Sequence, residues 1–136
     1  MNIDVDSSAK CYSKEEITIN SPAENVFKIL SDINNWPSWQ SSVAKAHIDG
    51  QTEEGATFEW QSGGLKIKSR LHTVNANSEI GWIKAVHNWH LGKENNMTRV
   101  VVEESLKGLG SSFMRNSLKE GMKKNLEELK SRAETD

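Results

Sequence analysis

Apolar and polar residues alternate along several short stretches of this chain. In EEITINSP, Ile17 and Ile19 fall on one side and polar residues on the other, which predicts a half-buried strand. The same alternation recurs in SVAKAHID, ATFEWQ, LKIKSRLHTV, IGWIKAVHNWHLGKE and TRVVVEESLKG, and turn signals such as Gly-Gly or Asn-Asn separate several of these stretches. After the first strand, the pattern predicts an antiparallel meander of about six strands with a polar outer face and an apolar inner face.

The period changes to a helical one directly after the first strand. Ser21 can cap a helix that Pro22 opens, and Glu24, three residues after Ser21, would complete a capping box. The apolar residues that follow predict a short helix that ends near Asp32. Asparagines and Pro37 then break the chain before or within a second helical turn.

The end of the chain carries a longer helical pattern. Apolar residues recur at spacings of four and three over residues 111–134, which predicts one amphipathic helix about 36 Å long. The stripe consists of Met114, Leu118, Met122, Leu126, Leu129 and Ala133. Gly121 lies on or beside this stripe, where it allows either a close approach of helix and sheet or room for a ligand.

The order of these elements predicts an α+β domain in which a curved antiparallel sheet wraps around the long helix. Two short helical turns cannot cover the concave face, so the C-terminal helix must fill it. A straight helix spans a curved sheet like a chord, which leaves a gap between them. Residues 14–136 are expected to form this single domain, and residues 1–13, which lack periodicity, a flexible lead or an added edge strand.

Length and composition narrow the function classes. The 136 residues match one domain, and the formal net charge of -2 provides no basic surface for nucleic acid or an anionic membrane. Cys11 is the only cysteine, which excludes an intramolecular disulfide and zinc sites built on several thiolates. The N-terminus lacks the regions of a signal peptide, and no apolar run approaches the roughly 20 residues of a membrane span. A cytoplasmic protein without an integral membrane segment is expected.

Several segments, in their order along the chain, resemble one known superfamily. They are SPAENVFKILSDINNWPSW, GATFEW, IGW, AVHNWHL and TRVVVEESLKG, followed by the long helix. Over roughly residues 14–134 the chain resembles the SRPBCC superfamily with the helix-grip fold, and within it the bacterial polyketide cyclase/dehydrase-like proteins. START lipid-transfer proteins and birch-pollen allergens are more distant relatives. The resemblance implies a sheet of six or seven strands and a pocket for a hydrophobic molecule, but no particular reaction, because only a minority of members are enzymes.

The chain departs from these relatives between Trp82 and His87. Relatives usually have two strands here, joined by a glycine-bearing turn, whereas WIKAVH leaves four residues between Trp82 and His87 and no turn signal. A strand–turn–strand is therefore not expected to fit. The alternatives are one continuous strand or a turn that the sequence omits.

Trp36 and Trp39 are large apolar rings in a polar segment, INNWPSWQSSV. As core residues beneath a short helix they would need no function. Their polar, Pro-broken context favours a second interpretation, in which they form part of a lid at the mouth of the cavity. An amphipathic ring suits a wall that is apolar inside and wet outside.

Glu104 and His87 are the candidate polar groups of the pocket. Val102 and Glu104 share one strand face, so Glu104 points inward if the valine does, and His87 and Trp89 share a face by the same logic. A slip at a bulge would instead leave Glu104 in solvent. An inward carboxylate needs a partner to offset its desolvation, and His87 is the candidate. In similar proteins the matching positions often carry Glu and His.

Other chemistries find little support in the sequence. His47, His72 and His90 lie on separate strands without metal-ligand spacing, so no metal site is expected. No GxSxG is present, and GLG lacks the rest of a dinucleotide fingerprint, so neither nucleophilic catalysis nor a cofactor is expected. The basic residues of LKIKSR are interpreted as a solvated strand face.

The sequence therefore favours binding of a hydrophobic small molecule over catalysis. The expected pocket wall consists of Trp36, Trp39, Phe58, Trp60, Ile67, Leu71, His87, Trp89, Val102, Glu104, Met114, Leu118 and Met122. One alternative is a cyclase, isomerase or hydratase that uses Glu104 and His87 as acid/base groups. Another is a protein-interaction domain of the stress-response or chaperone-associated type. A monomer or a homodimer is expected, since an open sheet edge can pair.

Overall fold

The computed structural model of the protein describes residues 11–62, 64–83, 86–106 and 115–135. Its elements, in chain order, are β1 (Cys11–Ile19), α1 (Ala23–Ser31), a 3-10 helix (Ile33–Ser38), β2 (Val43–Ile48), β3 (Thr57–Ser62), β4 (Leu65–Asn75), β5 (Glu79–Ile83), β6 (Val86–Glu94), β7 (Met97–Leu106) and α2 (Arg115–Thr135). The strands form one seven-stranded sheet in the order β1-β7-β6-β5-β4-β3-β2, and every neighbouring pair is antiparallel. This architecture confirms the predicted α+β helix-grip fold.

The two edge strands are β1 and β2, so α1 and the 3-10 helix carry the chain from one edge of the sheet to the other. β1 pairs with β7 from Cys11, opposite Leu106, to Ile19, opposite Thr98. Residues 11–13 therefore belong to an edge strand and not to a flexible lead. Residues 1–10 lie outside the described part of the chain.

The capping box predicted at the start of α1 does not form. Pro22 occupies the N-cap position in an extended conformation, and no side chain caps the helix. The prediction was wrong because a capping box requires the serine itself at the N-cap. The N-cap is Pro22, and Ser21 lies one residue before it. The Ser21 hydroxyl oxygen instead accepts a hydrogen bond from Asn25 Nδ2 (2.8 Å). Glu24 accepts hydrogen bonds from its own backbone N–H and from Lys93, which lower the pKa of its carboxyl.

α2 buries the apolar stripe that the spacing predicts. The buried members are Met122, Leu126, Leu129 and Ala133. Met114 and the side chain of Leu118 lie outside what the structure describes. Among the described residues, neither this helix nor any other is long and apolar enough to cross a membrane.

Hydrogen bonds fix α2 between the two edges of the sheet. Lys130 Nζ donates to the Thr18 carbonyl in β1 (3.0 Å). The Glu128 carboxylate accepts from the backbone N–H of Ser41, just before β2 (3.1 Å). This part of the helix therefore lies between the two edge strands, with its buried stripe facing the inner face.

β5 and β6 form an antiparallel hairpin, although the sequence favours no turn there. β5 ends at Ile83, β6 begins at Val86, and Trp82 lies directly opposite His87 in the register. The prediction that a strand–turn–strand cannot fit was wrong, because a two-residue connection is enough to join antiparallel strands. The hairpin brings Trp82 and His87 side by side on one face of the sheet.

The β3–β4 hairpin extends past the end of β5. Residues 65–70 of β4 pair with β3, whereas β5 pairs only with residues 70–75. Among the described strands, the outer part of this hairpin is supported by β2 alone. Leu65 lies at the hairpin end and is 64% exposed.

Candidate functional site

A contiguous group of six rings lies where the 3-10 helix meets the inner face of the sheet, the face that the helices cover. This aromatic cluster consists of Trp36, Phe58, Trp60, Trp82, His87 and Trp89. Neighbouring ring centroids lie 4.6–6.5 Å apart, and most pairs meet edge-to-face or tilted. The cluster runs from the 3-10 helix across β3, β5 and β6, so one wall of the interior is aromatic.

Trp82 and His87 stack face to face because they are direct neighbours on β5 and β6. Their ring centroids are 4.6 Å apart and their planes differ by 8°. Trp82 is absent from the predicted pocket wall, because without a turn after it no cross-strand partner can be assigned. The signal that places its ring on the inner face is the alternation of Ile80 and Trp82, both buried, around Gly81.

Glu104 lies directly opposite His87 in the register of β6 and β7. Its Oε1 is 3.0 Å from His87 Nδ1, and the side chains of His87 and Glu104 are 7% and 12% exposed. The alternation that begins at Val102 therefore continues through Glu104, and the carboxylate points inward. The two atoms are close but not aligned for a hydrogen bond, so their contact is an ion pair when the imidazole is protonated.

Three buried nitrogen atoms on this side of the sheet are unused. His87 Nε2 and the indole Nε1 atoms of Trp39 and Trp89 have no hydrogen-bond partner among the described residues. A buried polar group without a partner costs roughly 1–3 kcal/mol, and such groups are few in native proteins. The neutral imidazole can donate or accept at Nε2, depending on its tautomer. The inner face can thus offer a hydrogen bond to a molecule packed against the rings.

Trp36 and Trp39 are both buried, at 1% and 8% exposure. Trp36 belongs to the aromatic cluster and donates its Nε1–H to the Leu30 carbonyl (3.0 Å). The polar residues around it face solvent, because the 3-10 helix turns one side to the sheet and the other to water. The burial of both rings agrees with the core interpretation, and their action as a lid stays a prediction.

The other predicted pocket residues divide into a buried wall and a partly open edge. The buried ones are Phe58, Leu71, Trp89, Val102 and Met122. Trp60 and Ile67 form the edge, since both are half-buried and lie opposite each other on β3 and β4.

An open groove of about 630 Å³ lies beside this edge. β2, β3, β4 and the 3-10 helix bound it, and its apolar lining consists of Pro37, Ala44, Ala46, Trp60 and Ile67. The volume falls within the range of small-molecule sites. Trp60 also belongs to the aromatic cluster, so the groove adjoins the cluster at this ring. Neither His87 nor Glu104 lines it.

Gly121 of α2 faces open space. A Cβ built on this glycine meets no other described heavy atom within 4 Å. The close helix–sheet approach that the sequence allows is therefore absent at this position among the described residues. The other alternative, room for a ligand at this glycine, stays a prediction.

The outer face of the sheet holds a second buried histidine, His72. Its Nδ1 is 2.7 Å from Thr73 Oγ1, and its Nε2 is 2.8 Å from Asn88 Oδ1. The ring lies over Gly81, where a Cβ would come within 2.8 Å of two ring atoms. In the described ranges, no three side chains of His, Cys, Asp or Glu are placed to hold a metal ion.

The sequence model of one protein family, described as polyketide cyclase/dehydrase and lipid transport, matches residues 11–134. None of the curated proteins matches the chain. The family match extends over both edges of the sheet, the aromatic cluster and most of α2.

Solved structures share the fold. A hypothetical protein from Helicobacter pylori is 15% identical with a TM-score of 0.83, and the match covers 93% of this chain and 90% of that one. A START superfamily protein from Mycobacterium smegmatis is 15% identical with a TM-score of 0.74, covering 91% and 97%. StfQ, a di-domain ARO/CYC protein from the steffimycin biosynthetic pathway, is 18% identical with a TM-score of 0.69, covering 90% of this chain and 44% of that one. At these identities the likeness shows the fold alone.

Proposed function

The chain belongs to the polyketide cyclase/dehydrase and lipid transport family, and on this premise we propose that it binds a hydrophobic small molecule between the sheet and α2. Lipids, polyketides and other apolar or aromatic metabolites form the ligand class. The aromatic cluster supplies the apolar wall, and the His87–Glu104 pair is the polar anchor for one group of the ligand. A cytoplasmic monomer or homodimer is part of the same proposal.

One observation carries this proposal: His87 Nε2 is a buried polar atom in an aromatic wall and has no partner among the described residues. A ligand with a carbonyl or hydroxyl group satisfies this nitrogen while its apolar body packs against the rings. Further support comes from the family description, which includes lipid transport, and from the likeness in fold to a START superfamily protein.

Titration with an environment-sensitive apolar dye tests the proposal. We expect saturable binding by the native protein and loss of the signal in denaturant, because the site exists only in the folded chain. A native protein without saturable dye binding would contradict the proposal. Trp39→Ala tests the lid separately: a lid residue changes dye affinity or exchange, whereas a core residue lowers only stability, by about 3–5 kcal/mol.

The His87–Glu104 distance favours one second candidate, an enzyme of the cyclase, isomerase or hydratase kind. General acid–base catalysis requires groups within hydrogen-bond reach of one another or of the substrate, and the 3.0 Å separation meets that requirement. A binder needs only a hydrogen bond from this pair to the ligand.

Glu104→Gln separates binder from enzyme, because the amide keeps the shape of the side chain but cannot exchange a proton at working pH. For a binder, neither the wild type nor the variant alters the ligand, and the variant binds it more weakly. Turnover by the wild type that disappears in a variant still able to bind would show an enzyme. Glu103→Gln, one residue away and opposite Asn88 on the outer face, is the matched control.

A further inference from the structure

The imidazole ring of His87 is held in one orientation by two neighbours. Trp82 stacks on it, with the ring centroids 4.6 Å apart and an angle of 8° between the planes. Glu104 lies directly opposite His87 in the register, and its Oε1 is 3.0 Å from His87 Nδ1. The stack fixes the plane of the ring, and the contact with Glu104 fixes which ring nitrogen faces the carboxylate.

The carboxylate of Glu104 also determines which ring nitrogen carries the hydrogen atom. In the described ranges, His87 is the only side chain that forms an ion pair with Glu104. An ionised carboxylate only accepts hydrogen bonds. A hydrogen atom on Nδ1 is attracted to the oxygen 3.0 Å away, whereas a lone pair on Nδ1 would be repelled by it. The neutral ring is therefore held in the Nδ1–H tautomer.

In this tautomer His87 Nε2 is a hydrogen-bond acceptor, because it carries a lone pair and no hydrogen atom. This nitrogen is buried and has no partner among the described residues. A buried acceptor without a partner costs stability. Only a group that brings its own hydrogen atom can satisfy it, so a hydroxyl group fits and a carbonyl or ether oxygen does not.

Trp89 leaves the complementary group unused. Its ring centroid lies 5.4 Å from that of His87, and its buried Nε1 has no partner in the part of the chain that the structure describes. An indole N–H can only donate. The two neighbouring rings thus present one acceptor and one donor. A hydroxyl group matches both, because one oxygen atom donates and accepts, whereas a ketone matches the donor alone.

We propose that the polar end of the ligand is an alcohol or a phenol whose hydroxyl group donates a hydrogen bond to His87 Nε2. Glu104 acts as a positioning residue that holds His87 in the tautomer able to accept this bond. The proposal rests on the proposed function, since it names the ligand class of the same site. An apolar ketone or ether lacks the hydrogen atom that this anchor requires.

NMR of the ligand-free, ¹⁵N-labelled protein tests the tautomer directly, because protonated and unprotonated ring nitrogens have different chemical shifts. Spectra are recorded at about pH 9, where imidazole in water is neutral. The signals of His87 are those missing from the double variant His87→Phe/Glu104→Gln. We expect a protonated Nδ1 and an unprotonated Nε2. A hydrogen atom on Nε2 at this pH, alone or together with one on Nδ1, would overturn the inference.

Paired titrations with dodecanol and decyl methyl ketone test the selectivity, because the two probes have equal numbers of carbon atoms and differ in the hydroxyl group. Both are titrated at the same pH and below their aggregation concentrations. The measured quantity is the ratio of dodecanol affinity to ketone affinity. Comparing this ratio between wild type and variants cancels the difference in hydration between the probes.

Glu104→Gln should lower this ratio about threefold to tenfold, the value of one neutral hydrogen bond. The amide can face Nδ1 with its oxygen or its NH2 group, so it releases the tautomer and lets the ketone accept from Nε2–H. Glu103→Gln, opposite Asn88 on the outer face, is the matched control and should keep the wild-type ratio. An unchanged ratio in Glu104→Gln would overturn the inference while the proposed function stands. If neither probe binds the wild type, both fall.

Discussion

Two buried histidines lie on opposite faces of the same sheet and differ in how their ring nitrogens are used. His72, on the outer face, has both nitrogens within 2.8 Å of side-chain oxygens of Thr73 and Asn88. His87, on the inner face, has Nδ1 beside Glu104 and leaves Nε2 without a partner among the described residues. The two residues are almost equally buried, since 4% of the surface of His72 and 5% of the surface of His87, backbone included, is exposed.

Burial alone therefore does not separate a structural histidine from a functional one, whereas hydrogen-bond satisfaction does. A buried polar group with partners stabilises the fold, and one without partners costs stability unless a ligand supplies the missing contact. Substitutions at the outer histidine network should lower stability and leave binding unchanged. Substitutions at His87, once the Glu104 carboxylate is also neutralised, should leave stability nearly unchanged and weaken binding.

Gly81→Ala should break the outer network most severely. The new Cβ would collide with Asn88 Oδ1 and lie 2.8 Å from His72 Nε2. We expect a loss of about 2–4 kcal/mol in the free energy of unfolding, from overpacking and a displaced hydrogen bond. Urea denaturation measures this loss. Gly92→Ala is the matched control in a neighbouring strand, because its Cβ meets nothing within 4 Å, and equal losses in the two variants would contradict the account.

Asn88→Ala removes the acceptor of His72 without adding bulk. His72 Nε2 then lies buried and unpaired, so the free energy of unfolding should fall by about 1–3 kcal/mol. Dye affinity of the folded variant should equal that of the wild type, since Asn88 faces away from the aromatic cluster. Asn96→Ala, in the exposed turn after β6, should change stability by less than about 0.5 kcal/mol. If Asn88→Ala lowered the free energy of unfolding no more than Asn96→Ala does, the outer network would not be structural.

His87→Phe should have the smallest effect on stability and a clear effect on binding. Phenylalanine keeps the stacked contact with Trp82 and removes the unpaired Nε2, but it also removes the partner of the Glu104 carboxylate. The substitution is therefore compared in the Glu104→Gln background, where it should change the free energy of unfolding by less than about 1 kcal/mol. Affinity for dodecanol should fall about threefold to tenfold, the value of one neutral hydrogen bond. The double variant with Glu104→Gln controls for the carboxylate left behind. Unchanged affinity for dodecanol together with a large loss in the free energy of unfolding would show that His87, like His72, has a structural role.

The sheet and α2 could be predicted from the sequence because their signals are local. Alternation over a few residues specifies a strand face, and the spacing of four and three specifies the buried stripe of α2. The β5–β6 hairpin could not be predicted, because its two-residue connection in WIKAVH contains no glycine or asparagine. Without that turn the stacked neighbour of His87, Trp82, is missed.

The different uses of the two histidines could not be predicted either, because they depend on register. His72 reaches Asn88 across β5, sixteen positions along the chain, and a register shift between Leu71 and Thr73 brings both His72 and Thr73 to the outer face. Alternation through Val102 does place Glu104 inward, and the structure has it there. The sheet face on which a side chain lies can be inferred from the sequence pattern. Its contacts with side chains of other strands can be inferred only when the register of the strands is known.

Native mass spectrometry of the folded protein with an excess of dodecanol tests the central claim most directly, because a bound molecule adds its own mass. The account predicts one non-covalent ligand per chain, released on denaturation, and lower occupancy in His87→Phe than in Asn88→Ala at equal concentrations. A wild-type chain that carries no co-purified molecule and takes up no dodecanol would contradict the claim that the inner face is a ligand site.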